Sequence, residues 1–443
     1  MTAHPLDLHA PALVRRRAVP APLAPVAIGL VAVAPAANAL ATWAPGGGEG
    51  AALLMTRFLG LPVLALEIGC ILLALAAGFS PARSLQRLGR GPAAMLAGLV
   101  LLAFGTALLA APDRDLAVPR AGMTVLHVLF GLALAHLLAG WRDWTRAWWA
   151  LVAGGLAYAA LVPVYVAAIP SPERFDWMAF GLGVTNIRHT GFVLLPAAAL
   201  ALGLAARARG RAYLLACGAA AVCFGLFFWS GSRAPVAALI GACAIAAAAA
   251  PALRTRRLGI ALAVALTGGL LLSGLHNVPH PVFGAGRIAQ SGALPNADAV
   301  ASGRVELWAN SLEPIARRPV FGHGEGQFGG LVSHSYGAFQ HPHNAPLQLL
   351  FQWGVVGLLL GVALAGLAWW RVLRGVRGGR GEAAPAFLAL TALGLYALTD
   401  GVLFFTTPLF TLAALLAAGL TAARGPFGCL PAAAARDRPS ERA

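Results

Sequence analysis

Apolar residues in this chain come in blocks rather than stripes. A helix on a water-facing surface alternates an apolar stripe with polar positions. Here runs of nearly twenty residues pass with hardly a charge, and about 20 apolar residues are what a helix needs to cross hydrocarbon. Twelve such runs can be drawn, at roughly 23–43, 58–78, 92–112, 121–140, 147–169, 190–206, 212–230, 234–252, 258–275, 345–370, 384–401 and 403–422. The pattern predicts an all-α, polytopic integral membrane protein of about twelve transmembrane helices, with the sixth and eighth runs the weakest. It divides the chain into an N-terminal tail (1–22), helices one to nine (23–275), a long loop (276–344), helices ten to twelve (345–422) and a C-terminal tail (423–443). The start resembles a secretory signal, with Arg15, Arg16 and Arg17 before an apolar run and small residues from Ala36 to Ala39. Its length and the prolines Pro25 and Pro35 favour an uncleaved first span.

Composition agrees. The chain is 59% apolar and 11% charged, whereas soluble domains carry about 25% charged residues. The net charge of +16 comes from 32 basic residues, every one an arginine. A nucleic-acid surface would gather them in a patch or stripe. Instead they sit in short clusters between apolar runs. With the N-terminus inside and the spans alternating, 22 of the 32 fall on the cytoplasmic side. This is the positive-inside pattern, and it predicts a multi-pass membrane protein with both termini cytoplasmic and no nucleic-acid partner. Cys70, Cys217, Cys223, Cys243 and Cys429 form neither a disulfide framework nor a CxxC site. Trp141, Trp144, Trp148 and Trp149 read as an interfacial aromatic belt.

On this topology the loop between helices nine and ten is periplasmic. Loops longer than about 15 residues are functional or disordered, and this one holds Trp308, Phe321, Phe328, Tyr336 and Phe339. Residues 302–318 read as an amphipathic helix with Val305, Trp308, Leu312 and Ile315 at helical spacing, ended by Pro319. A glycine-punctuated turn, Phe321-Gly-His-Gly-Glu-Gly-Gln-Phe328, follows. Then comes His341-Pro-His-Asn344, at the mouth of the tenth span. Asn344 suits an N-cap and Pro346 the first turn. His343 therefore stands at a helix N-terminus, where the macrodipole opposes a positive charge and favours the neutral, proton-accepting imidazole. That makes His343 the candidate general base.

His343-Asn344 followed by Gly354 and Gly357 resembles the signature of bacterial O-antigen ligases. Ser230-Gly-Ser-Arg233, Gly303-Arg304 with Trp308, and Pro319-Val-Phe-Gly322-His-Gly324 add to the resemblance, which covers roughly residues 185–360. It implies a membrane glycosyltransferase that moves O-antigen polysaccharide from undecaprenyl diphosphate to a sugar hydroxyl of lipid A–core, at the periplasmic face. The partners would be that lipid-linked donor, the lipid A–core acceptor and membrane lipids. His343 would be catalytic, and Arg188, Arg233 and Arg304 would bind the diphosphate, because guanidinium forks match phosphate oxygens. His341, Asn344, Glu325 and Asp400 are supporting candidates. No cofactor is implied. Without a tight Asp-x-Asp pair on that side, no metal site is expected either.

Plainer readings stay open. His343 can cap a helix, and His341 can be a turn residue. Arg233 and Arg304 can pair with Glu306 or Asp400, and Arg188 can anchor at the interface. Glu325 can orient a sugar hydroxyl or face solvent. Arg317 and Arg318 read as solvated or as headgroup contacts. Glu67 lies inside the second span, where a carboxylate is expensive unless neutral or paired. A zinc site from His323, His334, His341 and His343 fits no ligand spacing. O-antigen polymerases and protein O-oligosaccharyltransferases share the motif. A polyprenyl-sugar transporter finds little support beyond Glu67, since no inverted repeat is visible.

Overall fold

A computed structural model describes residues 23–46, 50–275, 278, 283–290, 298, 301–335, 337 and 339–424. The two tails, Cys429, Tyr336 and parts of the 276–344 loop lie outside the described residues. The main helices are α1 (Leu23–Ala41), α2 (Ala51–Leu59), α3 (Leu61–Ala76), α4 (Pro81–Leu88), α5 (Arg90–Leu109), α6 (Arg114–Leu137), α7 (Trp144–Ala167), α8 (Gly191–Ala205), α9 (Gly210–Trp229), α10 (Arg233–Ala249), α11 (Arg256–Ser273), α12 (Arg304–Arg317), α13 (Ala345–Arg377), α14 (Ala384–Tyr396) and α15 (Thr406–Arg424). The described residues contain no strand. The protein is an all-α polytopic membrane bundle.

Each of the twelve apolar runs coincides with a helix, but not all twelve helices have the length of a full crossing. Among the described residues, nine helices are long and apolar enough to span, and a tenth span arises if the bent pair α2–α3 is counted as one. The two halves of that pair meet at 51°. Gly60 sits at the corner with φ 63°, and Pro62 opens the next helix. Arg57, expected in an external loop, lies in α2 instead and is buried. The run expected at 234–252 is a helix of 17 residues, and the run expected at 384–401 is one of only 13. α14 can be that short because it faces protein rather than lipid. It packs against α8 and α10, and it is buried almost without interruption from Ala384 to Leu393. α8 is buried along its whole length. A helix apolar all round belongs in such a centre.

Small residues bring these helices close, as is usual inside membranes. A Cβ added at Gly154 of α7 would run into the backbone of Ala32 in α1, and one at Gly203 of α8 would meet Pro385 of α14. Cys70, Cys217, Cys223 and Cys243 are buried free thiols. Of the four tryptophans of the expected belt, Trp141 and Trp149 are half-buried, whereas Trp144 and Trp148 are buried in the protein and stacked 5.4 Å apart, and the Trp148 indole donates to Glu382 O at 2.8 Å. The polar chain after α13 supplies that carbonyl, so the ring turns inward.

α13 is broken at Gly354, whose φ of 63° and ψ of −165° are not helical. A break in a membrane helix frees backbone groups that need partners. The segment after Pro319 provides them. His323 N–H donates to Phe351 O at 2.9 Å and Gly324 N–H to Gln352 O at 2.8 Å, while Val355 N–H donates to Pro319 O at 2.8 Å and Val356 N–H to Val320 O at 3.3 Å. A Cβ at Gly322 or Gly354 would collide with the facing backbone. The Pro319–Gly324 motif is thus a plug seated in the broken helix, and it pins the long loop to the bundle.

α12 forms nearly where predicted, but its buried face is Leu307, Ser311, Pro314 and Ile315. Val305 and Leu312, expected on that face, are exposed. Phe328, Val332 and Phe351 offer a closer apolar surface to Leu307 and Ile315, so the helix settles on that side.

Candidate active site

Three loops converge beside the N-terminus of α13. The first precedes α8, the second is the 341–344 turn, and the third joins α14 to α15. Asn344 caps α13: its Oδ1 accepts from Leu347 N–H at 2.9 Å, and its Nδ2 donates to Leu398 O at 3.0 Å, tying turn and link together. The Trp308 indole of α12 donates to Pro342 O at 2.8 Å from the opposite side. His343 between them has φ 52°, in the left-handed region. Such a conformation costs a non-glycine residue roughly 1–3 kcal/mol and persists where surroundings over-determine it.

What holds His343 is Asp400. The His343 Nδ1 is 3.1 Å from Asp400 Oδ1. A carboxylate accepts, so Nδ1 carries the hydrogen, and in the neutral ring the lone pair lies on Nε2. The same Oδ1 accepts from Gly401 N–H at 2.8 Å, and Oδ2 accepts from the Tyr396 hydroxyl at 3.0 Å. His189 Nε2 stands 3.9 Å away and Arg304 Nη2 3.7 Å. Asp400 is 4% exposed. Burial alone would raise its carboxyl, but the hydrogen bond and charge of His343, with His189 and Arg304, hold it well below the usual carboxylate range. It is an anion in the folded protein.

His341 completes the histidine pair. Its Nδ1 accepts from the His343 backbone N–H at 3.2 Å, and the two rings are 4.1 Å apart. Burial, then His343, push His341 well below the usual imidazole range, which suits a ring that accepts there. Phe404 stacks on it at 4.7 Å.

Arginines surround this acid. Arg304, the first residue of α12, reaches Asp400. Arg233, the first residue of α10, donates to Ser302 Oγ at 3.2 Å, and Arg287 donates to the same oxygen at 3.0 Å and to Gly231 O at 3.2 Å. Arg188 lies within electrostatic reach of all three and of Asp400, with its guanidinium 5.6 Å from the Phe283 ring. Burial first, then Arg233 and Arg304, push Arg287 down to about 10. Four guanidiniums and one carboxylate therefore lie within electrostatic reach of one another, partly buried, an arrangement that attracts a multiply charged anion.

Of the residues singled out from sequence, His343, His341, Asn344, Asp400, Arg188, Arg233 and Arg304 are thus brought together. Of the acids held open as partners for Arg304, Asp400 is the one in reach; Glu306 accepts from Ser335 at 2.6 Å. Glu325 is elsewhere. It is buried rather than solvent-facing, and both its oxygens accept from Thr124 of α6 at 3.0 Å. His323 and His334 point to Pro314 O and Gly303 O, at 2.7 and 2.8 Å, so the four histidines do not converge. Among the described residues no group of three His, Cys, Asp or Glu is arranged to hold a metal. Arg287, His189 and Tyr396 were missed. Arg287 was one of ten arginines on the loop side, and His189 adjoined Arg188. Tyr396 carries no sequence signal, because it sits inside an apolar run.

Fold and site together define a class: a polytopic helical membrane protein whose loop end gathers arginines around an Asp–His pair. Residues 218–362 match the family described as O-antigen ligase. An O-antigen ligase of Pseudomonas aeruginosa is 36% identical over 144 residues, 32% of this chain and 31% of that protein's length. Both comparisons support the O-antigen ligase family. The matched family segment holds Arg233, Arg287, Arg304, His341 and His343, whereas Arg188, His189, Tyr396 and Asp400 come from outside it.

Proposed function

We propose that this protein transfers a glycan from a polyprenyl diphosphate to a sugar hydroxyl, as an O-antigen ligase acting from undecaprenyl diphosphate onto lipid A–core. The observation that carries the reading is the His343–Asp400 pair set among four guanidiniums. The acceptor hydroxyl gives its proton to His343 Nε2 as its oxygen bonds to the anomeric carbon. The bond from that carbon to the diphosphate oxygen breaks, and its electrons leave with the diphosphate. Arg188, Arg233, Arg287 and Arg304 stabilise the charge growing there. One displacement inverts the anomeric centre. Asp400 orients the imidazole and stabilises the imidazolium, the part a buried carboxylate plays beside a histidine base. In this reading the 276–344 loop is the periplasmic catalytic segment of an inner-membrane protein with both termini cytoplasmic, and the helices on either side of it complete the site.

The test is reconstitution in proteoliposomes with lipid-linked donor and lipid A–core. Covalent product is expected, and His343→Ala should lower kcat by about 10²- to 10⁴-fold. A folded His343→Ala variant with unimpaired transfer removes His343 from the chemistry. Polymerised donor or a glycosylated peptide moves the assignment to an O-antigen polymerase or a protein O-oligosaccharyltransferase. Movement of the donor without product makes the protein a transporter.

A further inference from the structure

Behind the histidine pair, in the membrane helix α6, lies a buried arginine with no part in the chemistry just described. Arg120 is 8% exposed. Its Nη1 donates to Phe404 O at 3.2 Å, and its guanidinium is 4.3 Å from the Phe404 ring and 5.2 Å from that of Phe58. A buried guanidinium in such a helix is expensive and usually functional. Here it closes an irregular stretch of chain. The α14–α15 link is non-helical across Asp400 and Gly401, and its buried carbonyls need partners. Arg120 supplies one for Phe404.

The Phe404 ring stacks on His341 with 23° between planes. The Gly401 backbone touches the same imidazole so closely that a Cβ there would overlap it. His341 in turn accepts the backbone N–H of His343, the residue whose left-handed φ has to be held. Asp400, which orients the His343 ring, belongs to the link that Arg120 fastens. Contacts therefore run from Arg120 to His343 by two routes, one through the Phe404 ring and His341, the other through the link to Asp400. On its other side Arg120 lines a narrow cavity with Thr124, His127, Glu325 and Gln348.

We propose that Arg120 is a positioning residue for transfer: it fixes Phe404 and the 400–405 link, and through them the orientation of His341 and His343. The inference rests on His343 being the base. A displacement of about 1 Å at a reacting group can cost up to 10²-fold in rate, so the loss belongs in kcat.

The experiment compares Arg120→Gln, Arg120→Lys and Phe404→Leu with the intact chain in the proteoliposome assay, after thermal unfolding has shown which variants fold. Arg120→Gln and Phe404→Leu should lower kcat roughly 10- to 100-fold, with donor KM within about twofold and the limb of the pH–rate profile that reports the base displaced. Arg120→Lys keeps a cation and a donor for Phe404 O and should recover part of the loss. Folded Arg120→Gln with an unchanged kcat and pH profile overturns the proposal. So does Phe404→Leu with an unchanged kcat, the arm that decides if Arg120→Gln does not fold. If His343→Ala itself remains active, the base assignment falls first, and the two failures are told apart by that single variant.

Discussion

Two of the buried acids, Glu67 and Asp400, are partnered in opposite ways. At Glu67 in α3 one carboxylate meets one imidazole, His127 of α6, at 2.7 Å. Glu67 is fully buried and His127 nearly so, and Glu67 Oε2 and His127 Nε2 have no partner. At Asp400 one carboxylate meets two histidines and an arginine, with three further arginines around it. The first site sets one acid against one base and resolves, as a hydrogen-bonded pair, the question that a carboxylate inside the second span raised. A pair of that kind contributes little net stability, and breaking it by removing one partner is what costs. The second site sets four guanidiniums around one carboxylate. Such a grouping suits an anion that comes and goes, so the makeup of the charge cluster rather than its burial distinguishes the working site from the structural one.

The comparison is broken most forcefully at Asp400. Asp400→Asn should fold, yet kcat should fall by about 10²- to 10⁴-fold. An amide can present a donor to His343 Nδ1, and the ring then carries its proton on Nε2, where the acceptor hydroxyl needs a lone pair. Donor KM should change little, because the guanidiniums remain. Steady-state kinetics with saturating acceptor reads both constants. Retained kcat would mean that Asp400 is a counter-charge like Glu67 and not the group that orients the base.

A second arm sharpens which cations hold the diphosphate. Arg304→Ala and Arg287→Ala should each raise donor KM by roughly tenfold, the equivalent of one charge-assisted contact worth about 1.5 kcal/mol. Inorganic pyrophosphate should inhibit the intact chain more strongly than either variant. An Arg287→Ala variant with unaltered KM and inhibition would reduce the cluster to the three arginines visible from sequence.

Why those three were visible and the rest were not has a physical basis. Block hydrophobicity is a property of local composition, so the twelve helical positions could be read directly. The shortness of α14 could not, because it depends on neighbours that shield it from lipid. The cap at Asn344 and the end of α12 near Pro319 are likewise local. The break at Gly354 was legible only as a motif glycine, since its partners lie at residues 319–324. Arg233, Arg304 and His343 stood out by motif, and Asp400 by being an acid at a span end. Nothing local says that Asp400 and His343 meet, or that Trp148 turns inward to Glu382. Glu325 misled because a glycine-rich turn looks solvent-facing, whereas this one is pressed onto α6.

At the balanced site the expected effect is smaller and of another kind. Glu67→Gln keeps the shape and removes the charge facing His127. It should lower stability by about 1–3 kcal/mol, read as a lower unfolding midpoint in detergent, and leave kcat for transfer unchanged. A drop in kcat with no loss of stability would erase the distinction between the two sites and place the Glu67–His127 pair in the reaction.

An effect of similar size, confined to higher pH, is expected at Glu325, a buried acid that belongs to neither pattern. Burial raises its carboxyl from the ordinary value of 4.5 to about 7, against the hydrogen bond from Thr124 and the charge of Arg120. Between those two values the folded chain holds a proton that the unfolded chain has released. Stability contributed by this group is therefore greatest below about 4.5, falls as pH rises toward about 7, and stays at the lower level beyond. Glu325→Gln resembles the protonated form and should remove that slope, making the variant more stable than the intact chain at alkaline pH by on the order of 1–3 kcal/mol. Unfolding midpoints at mildly acidic and alkaline pH test this. Equal slopes in the two proteins would mean that Arg120 keeps Glu325 ionised throughout, and the Arg120–Glu325 contact would then join Glu67–His127 as a second balanced pair.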